Sequence, residues 1–173
     1  IDRRRDLPAF ASESLVDWFE ARGGPRVPRD EADREAVLYP DTATNYVDVD
    51  RGKAAVRALE ALGVHVEIPD LPGSGRPPLS QGMIATAESA AEDVYAGLAS
   101  HVDAGRDVVV IEPSDLAMFR DEYEKFLPEA SHERLSAASY DVMEYVFGLL
   151  ENGGDPAALR APAEGTGPVA SGK

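Results

Sequence analysis

The chain has no cysteine. Disulfides, zinc–thiolate centres, iron–sulfur ligation and thiol nucleophiles are therefore excluded within its 173 residues. Lysine is almost missing too: of 17 basic residues only Lys53, Lys125 and Lys173 are lysines, and the rest are arginines. Against them stand 32 acidic residues, for a net charge of −15. Binding to a phosphate backbone needs a basic face, so nucleic acid is not an expected partner. A carboxylate-rich, lysine-poor surface is what adaptation to high salt produces, because screening removes most self-repulsion between surface charges. An ordinary acidic protein from a high-GC genome would show the same bias toward Ala, Arg and Gly.

Long apolar runs are also lacking. None approaches the roughly 18 residues needed to cross a bilayer, so no transmembrane segment is expected. The expected location is cytoplasmic, or peripheral to a membrane. The three histidines, His65, His101 and His132, show no H-x-x-x-H or H-E-x-x-H spacing and are expected to be structural. Ser74, Ser80 and Ser114 have no His–acid partners on neighbouring loops, so a hydrolytic triad is unsupported. The chain opens on Ile1 rather than Met, and the expectation is a piece of a longer protein.

Regular secondary structure is plentiful by comparison. Residues 1–35 read as an N-terminal helix, Ser12 to Ala21 with Leu15, Val16, Trp18 and Phe19 inward, followed by a linker. Residues 36–154 read as one α/β domain. Strands are expected at 36–39, 64–68 and 107–112, the last an unbroken Val/Ile run suited to a strand covered on both faces. Helices are expected from Asp48 or Asp50 to Leu62, at 81–104, at 113–127 and, as one continuous element, at 131–152. Residues 155–173 are rich in Ala, Pro, Gly and Ser and read as a disordered tail or linker. Strands alternating with helices imply a parallel sheet with right-handed crossovers. The expected fold is a small three-layer Rossmann-like α/β unit with a three-stranded, at most four-stranded, parallel sheet.

That topology places three loops together at the carboxyl edge of the sheet: 40–48, 69–80 and 112–115. The middle loop is the densest in turn residues, with Pro69, Pro72, Pro77 and Pro78 around Gly73-Ser74-Gly75. Backbone amides near a helix start attract anions, and Arg76 adds charge. However, Pro78 leaves G-x-G-x-x-G incomplete, and Pro77 and Pro78 remove two amides, so a rigid turn is the simpler reading. Asp41, Asp70, Glu112 and Asp115 fall near strand ends, where such carboxylates can hold a hard cation. For Asp115 a first-turn acid at a helix N-terminus is the plainer account.

The stretches Leu38-Tyr39-Pro40-Asp41-Thr42-Ala43-Thr44-Asn45-Tyr46, Gly75-Arg76-Pro77, Glu112-Pro113-Ser114-Asp115-Leu116 and Arg120-Asp121-Glu122-Tyr123 together resemble a known family. It is the cysteine-rich CCG domain of the heterodisulfide reductase B subunit and the C subunit of anaerobic glycerol-3-phosphate dehydrogenase. The same domain occurs in the C-terminal iron–sulfur half of FAD-linked oxidases such as D-lactate- and glycolate-oxidising flavoenzymes. The resemblance covers about residues 1–150. The family's cluster cysteines fall here on Thr42, Gly73, Ser74 and Asp115. The resemblance therefore implies that this chain binds no cofactor of its own and is not itself catalytic, while the full-length parent, an FAD-linked oxidoreductase, carries FAD and [4Fe-4S]. The implied partner is the flavin domain, a second CCG repeat of the same protein, or both, with this chain as a structural and docking scaffold. The alternative is a small-molecule module in which Asn45, Arg76, Glu112 and Ser114 hold an anion or hydroxy acid without redox chemistry.

Overall fold

Four short strands, none with more than five residues, organise the chain. The structure, a computed structural model, describes residues 9–160. Strands β1 (Arg34–Leu38), β2 (Val64–Glu67), β3 (Asp107–Val110) and β4 (Ser139–Asp141) form one all-parallel sheet in the order β2-β1-β3-β4. The strand order turns around between β1 and β3: the chain leaves β1 for β2 on one side, then crosses back to β3 on the other. This is the switch point of a doubly wound sheet, where a crevice opens at the carboxyl ends of the strands.

Strand alternation sorts the apolar residues into two cores. On one face Ala36, Leu38, Val64, Val66 and Val109 pack against α1 (Leu15–Ala21), α3 (Val49–Ala61) and α8 (Val142–Glu151). On the other, Val37, Tyr39, Val108 and Val110 pack against α5 (Ile84–Asp103), α6 (Pro113–Arg120) and α7 (Glu129–Ala138). The fold is thus the three-layer α/β unit expected, with the fourth strand present. Burying each such aliphatic side chain is worth roughly 1.5–3 kcal/mol, so both cores contribute to stability.

The N-terminal helix belongs to the first core. Leu15, Val16 and Phe19 are buried in it, Ser14 caps it through Asp17 N–H, and the Arg22 guanidinium lies 4.6 Å over the ring centroids of both Trp18 and Phe19 while pairing with Glu60. Strand β1 also starts two residues inside the stretch read as a linker. Expected disorder at 155–173 lies mostly outside the described residues; Ala158–Arg160 form a single 3-10 turn.

Four expectations from sequence are corrected. The single helix at 131–152 is two helices, α7 and α8, separated by β4. Ser139 turns its hydroxyl back to Leu135 O, β4 pairs with β3 through Val108↔Ser139, Val109↔Tyr140 and Val110↔Asp141, and Asp141 opens α8 with a capping box to Glu144. The segment after β1 is not all loop: Thr42–Tyr46 form the short helix α2, capped by Asp41. The 69–80 segment likewise holds a short helix, α4 (Arg76–Ser80), entered with Gly75 at φ +83° and with Pro77 in its first turn, where a missing amide is harmless. The helix expected from 113 to 127 ends at Arg120, and a 3-10 turn, Glu122–Lys125, follows.

Candidate functional site

The carboxyl edge at the β1–β3 switch point is built by three segments, and each is fixed by its own chemistry. After β1, Pro40 ends the strand and Asp41 turns in, 1% exposed, to accept Thr44 N–H at 2.9 Å. After β3, Glu112 caps α6, accepting Ser114 N–H at 3.4 Å and the Ser114 hydroxyl at 3.1 Å, which leaves Asp115 in the first turn of the helix. After β2, the chain carries no ladder bonds and is held by side chains from the second core. Tyr39 donates its hydroxyl to Pro72 O at 2.8 Å, and Tyr123 donates to Ser74 O at 2.8 Å. Leu71 lies over Gly97 of α5, leaving no room there for a β-carbon. Gly75 sits so close to Ala87 and Ala90 that a β-carbon would lie 3.0–3.2 Å from them.

These anchors press Ser74, 2% exposed, against α6, where its hydroxyl donates to Asp115 Oδ1. Arg76 N–H donates in turn to Ser74 Oγ at 3.2 Å. Asp115 is 9% exposed. Burial pushes its carboxyl up to about 6; the Ser74 bond opposes this, the Asp41 and Glu112 charges add to it, and Arg76 opposes it again. Burial, followed by the charge of Asp115, raises both Tyr39 and Tyr123 well above the ordinary tyrosine range, so both hydroxyls stay protonated and remain donors.

The structure brings the four implied ligand positions together in pairs. Ser74 bonds Asp115. Thr42, at the start of α2, has its Oγ1 3.2 Å from where a β-carbon on Gly73 would sit. The alternative ligand edge is not assembled in the same way. Asn45 is 3% exposed and accepts Val16 N–H at 3.1 Å, tying α2 to α1. Glu112 and Ser114 bond each other, and Arg76 stands beside the Ser74–Asp115 contact. What the sequence reading missed were the two clamping tyrosines. Tyr39 stood in a strand and in a resemblance-bearing stretch, and Tyr123 in the R-D-E-Y motif, but neither was read as a hydrogen-bond donor to the middle loop.

A second polar cluster lies on the α5 side of the β2 edge. Arg106 donates to Glu35 Oε2 at 2.8 Å and Glu67 Oε2 at 3.1 Å, and Arg29 pairs with both carboxylates. His65 joins through Nε2, 3.4 Å from Glu67 Oε1, while its Nδ1 lies 2.7 Å from Val27 O. His101 Nδ1 lies 2.7 Å from Arg106 Nη1 and 3.3 Å from Glu67 Oε2. Because Arg can only donate, the shorter contact fixes Nδ1 as the acceptor of a neutral ring. Burial, with Arg106 and Arg29, holds His101 below the usual histidine range against the pull of Glu67. This cluster is balanced in charge and joins elements. Among the described residues, no group of three or more His, Asp or Glu side chains has metal-binding geometry, and no helix is long and apolar enough to cross a membrane.

Several large apolar side chains are exposed on segments that follow the strands. Tyr46 and Val47 follow β1, Met83 and Ile84 follow β2, and Met143 follows β4, with Phe147 one turn further along α8. In a parallel sheet the strand-to-helix connections start at the carboxyl edge.

The chain was compared with protein-family models, with curated proteins and with solved structures, and none matches it.

Proposed function

We propose that this chain is a cysteine-less CCG-type domain serving as a structural and docking scaffold in the electron-transfer half of an FAD-dependent 2-hydroxy-acid oxidoreductase. The observation that carries this reading is the pairwise convergence of Thr42 with Gly73 and of Ser74 with Asp115. Four positions from three segments, chosen by resemblance, fall into two adjacent contacts at one end of the sheet. No thiolate is present to hold a soft metal cluster, and the edge is closed by its own side chains. The exposed apolar side chains of Tyr46, Val47, Met83, Ile84 and Met143, each on a segment that follows a strand, support the docking role, since exposed apolar surface is what a contact with another chain or domain covers. The parent's FAD and [4Fe-4S] then belong to the flavin domain and to a second, cysteine-bearing repeat.

The anion- or hydroxy-acid-binding alternative is less well supported, because Asn45 Oδ1, Glu112 Oε1 and both Ser114 donors are committed to the fold itself. The test is expression of the full-length parent, with iron, sulfide and flavin analysis of the whole protein and of residues 1–173 alone. The expected result is flavin in the whole protein and no iron in this segment. A stoichiometric cluster on residues 1–173, or a parent without flavin, overturns the reading. A thermal-shift series with lactate, glycolate and phosphate at high salt tests the alternative: a saturable shift with any of them favours it.

A further inference from the structure

The switch-point crevice contains one buried polar atom with no evident partner. Asp41 commits Oδ1 to Thr44 N–H, whereas Oδ2 is shut off from solvent and accepts no hydrogen bond among the described residues. The groups facing Asp115 come from every element around it. Asp41 and Tyr39 approach from the end of β1, Ser74 and Arg76 from the β2 turn, Glu112 from the cap of α6 and Tyr123 from the 3-10 turn beyond it. Two buried carboxylates, Asp41 and Asp115, thus stand together with Glu112 beside them, and only Arg76 among these groups brings positive charge.

We propose that the Ser74–Asp115 contact is a proton-dependent latch: a proton on the Asp115 carboxyl keeps the Pro72–Gly75 turn seated over the β1–β3 crevice, and its loss lets the turn lift and water enter. The turn is the segment least tied to the sheet. Asp41 and Asp115 are set on β1 and α6, which are packed into the sheet and core, whereas residues 72–75 make no ladder bonds and rest on two tyrosine hydroxyls, one serine hydroxyl and the packing of Leu71 and Gly75.

The sign follows from linkage. Lifting the turn hydrates both carboxylates and returns Asp115 toward the ordinary value of roughly 3.9. The closed turn holds that proton up to about pH 6, so closure is favoured below that range and opening above it. The Ser74 hydroxyl bond favours the ionised carboxylate and works against this, but it is outweighed by burial. A difference of about two pKa units bounds the change in the open-to-closed ratio at roughly 100-fold across the transition.

The Arg76 amide reports on the latch directly, since its partner is Ser74 Oγ. Its hydrogen-exchange protection, corrected for intrinsic rate and read against Val109 of β3, is measured by NMR on residues 1–173 at pH 5 and pH 7.5. The expected result is protection several-fold lower at pH 7.5 for Arg76, up to about 10-fold, and unchanged for Val109. In Asp115→Asn the Arg76 protection stays high at both values. In Asp41→Asn, which removes the opposing charge, the pH step shrinks. Equal protection of Arg76 at both pH values in the natural chain, or the same pH step in Asp115→Asn, overturns the proposal, and the natural chain alone decides it if the variants do not fold. Iron and flavin content plays no part in this readout, so the latch and the scaffold reading fail separately.

Discussion

Tyr123 donates its hydroxyl to the main-chain carbonyl of Ser74 at 2.8 Å, bridging 49 residues of sequence to hold a turn that no strand pairs with. Tyr39 does the same for Pro72 O. The two rings belong to one aromatic chain, Tyr39–Phe119–Tyr123, with centroids 4.9 and 5.3 Å apart. The apolar core thus reaches the turn through polar tips, an arrangement open to tyrosine and closed to phenylalanine.

The first prediction follows from that difference. Tyr123→Phe keeps the ring and leaves the carbonyl of a residue only 2% exposed without its donor; the expected loss is about 2 kcal/mol, since a buried unsatisfied acceptor loses roughly 1–3. Tyr39→Phe frees a carbonyl on Pro72, an exposed residue that water reaches more readily, and the expected loss is about 1 kcal/mol. Urea denaturation of both variants checks the order. Equal losses would show that solvent reaches the Ser74 carbonyl as easily as that of Pro72.

Two helical glycines should respond to alanine with opposite signs. A β-carbon on Gly52 of α3 would stand 2.5 Å from Leu15 Cδ2 and 2.7 Å from Thr44 Cγ2, with Leu15 fully buried. Overpacking of this kind costs typically 1–3 kcal/mol, and the gain in helix propensity returns at most about 1. Gly52→Ala is therefore destabilising by about 1 kcal/mol or more. Gly148 of α8 has nothing within 4 Å of the same position. Gly148→Ala raises stability by roughly 0.5–1 kcal/mol. Thermal unfolding of the pair measures both; a stabilised Gly52→Ala would mean that α1 does not press on α3 as described.

The sequence made the layers legible because hydrophobic period is strongest where both faces of a strand are covered, as at Val108–Ile111, or where a helix is long, as at Ile84–Asp103. It also brought the three carboxyl-edge segments together, since parallel topology leaves them nowhere else to go. The reading failed where tertiary pairing overrides local pattern. Leu135, Val142, Val146 and Leu149 fit one helical stripe, and three residues of β4 are too few to break it by composition. The readable signal was Asp141-x-x-Glu144, a capping box in the middle of the supposed helix. The tyrosine clamps were illegible for another reason: a hydroxyl that reaches a carbonyl 33 or 49 residues away leaves no local trace. Asn45 looked like an edge residue and instead ties α2 to α1.

The β2-edge cluster depends on Arg106, whose side chain is 16% exposed and bonded to Glu35 and Glu67. Burial alone would raise Glu67; Arg106, the His65 bond and Arg29 reverse this and hold it below the usual carboxylate range. Arg106→Ala leaves both carboxylates facing a half-exposed Arg29. The expected loss is about 2 kcal/mol at low salt, between the values for exposed and buried pairs. The loss shrinks in 1 M salt, where the screening length is about 3 Å. Denaturation at the two salt concentrations checks this; a salt-independent loss would point to packing of the arginine stem instead.

The last prediction concerns pH. His101 and Glu67 are both held below their ordinary values, so each binds fewer protons folded than unfolded, and their stabilisation is lost as pH falls below about 6.5 and about 4.3 respectively. Asp115 runs the other way. With its carboxyl raised to about 6, the folded chain binds more protons than the unfolded one between roughly pH 4 and 6. Its contribution is therefore fully present below about pH 4 and is lost as pH rises through 6. The two trends oppose each other across the same window and flatten the natural chain's profile. Asp115→Asn removes only one of them. It retains an oxygen to accept the Ser74 hydroxyl and carries no charge to bury, so at pH 8 it should equal or exceed the natural chain by up to about 3 kcal/mol. At pH 4 the advantage disappears, and the variant's stability falls more steeply between pH 6 and 4 than the natural chain's. Urea midpoints of both proteins at pH 4, 6 and 8 resolve the crossing. A constant difference at all three values would mean that Asp115 is already neutral, or already hydrated, throughout.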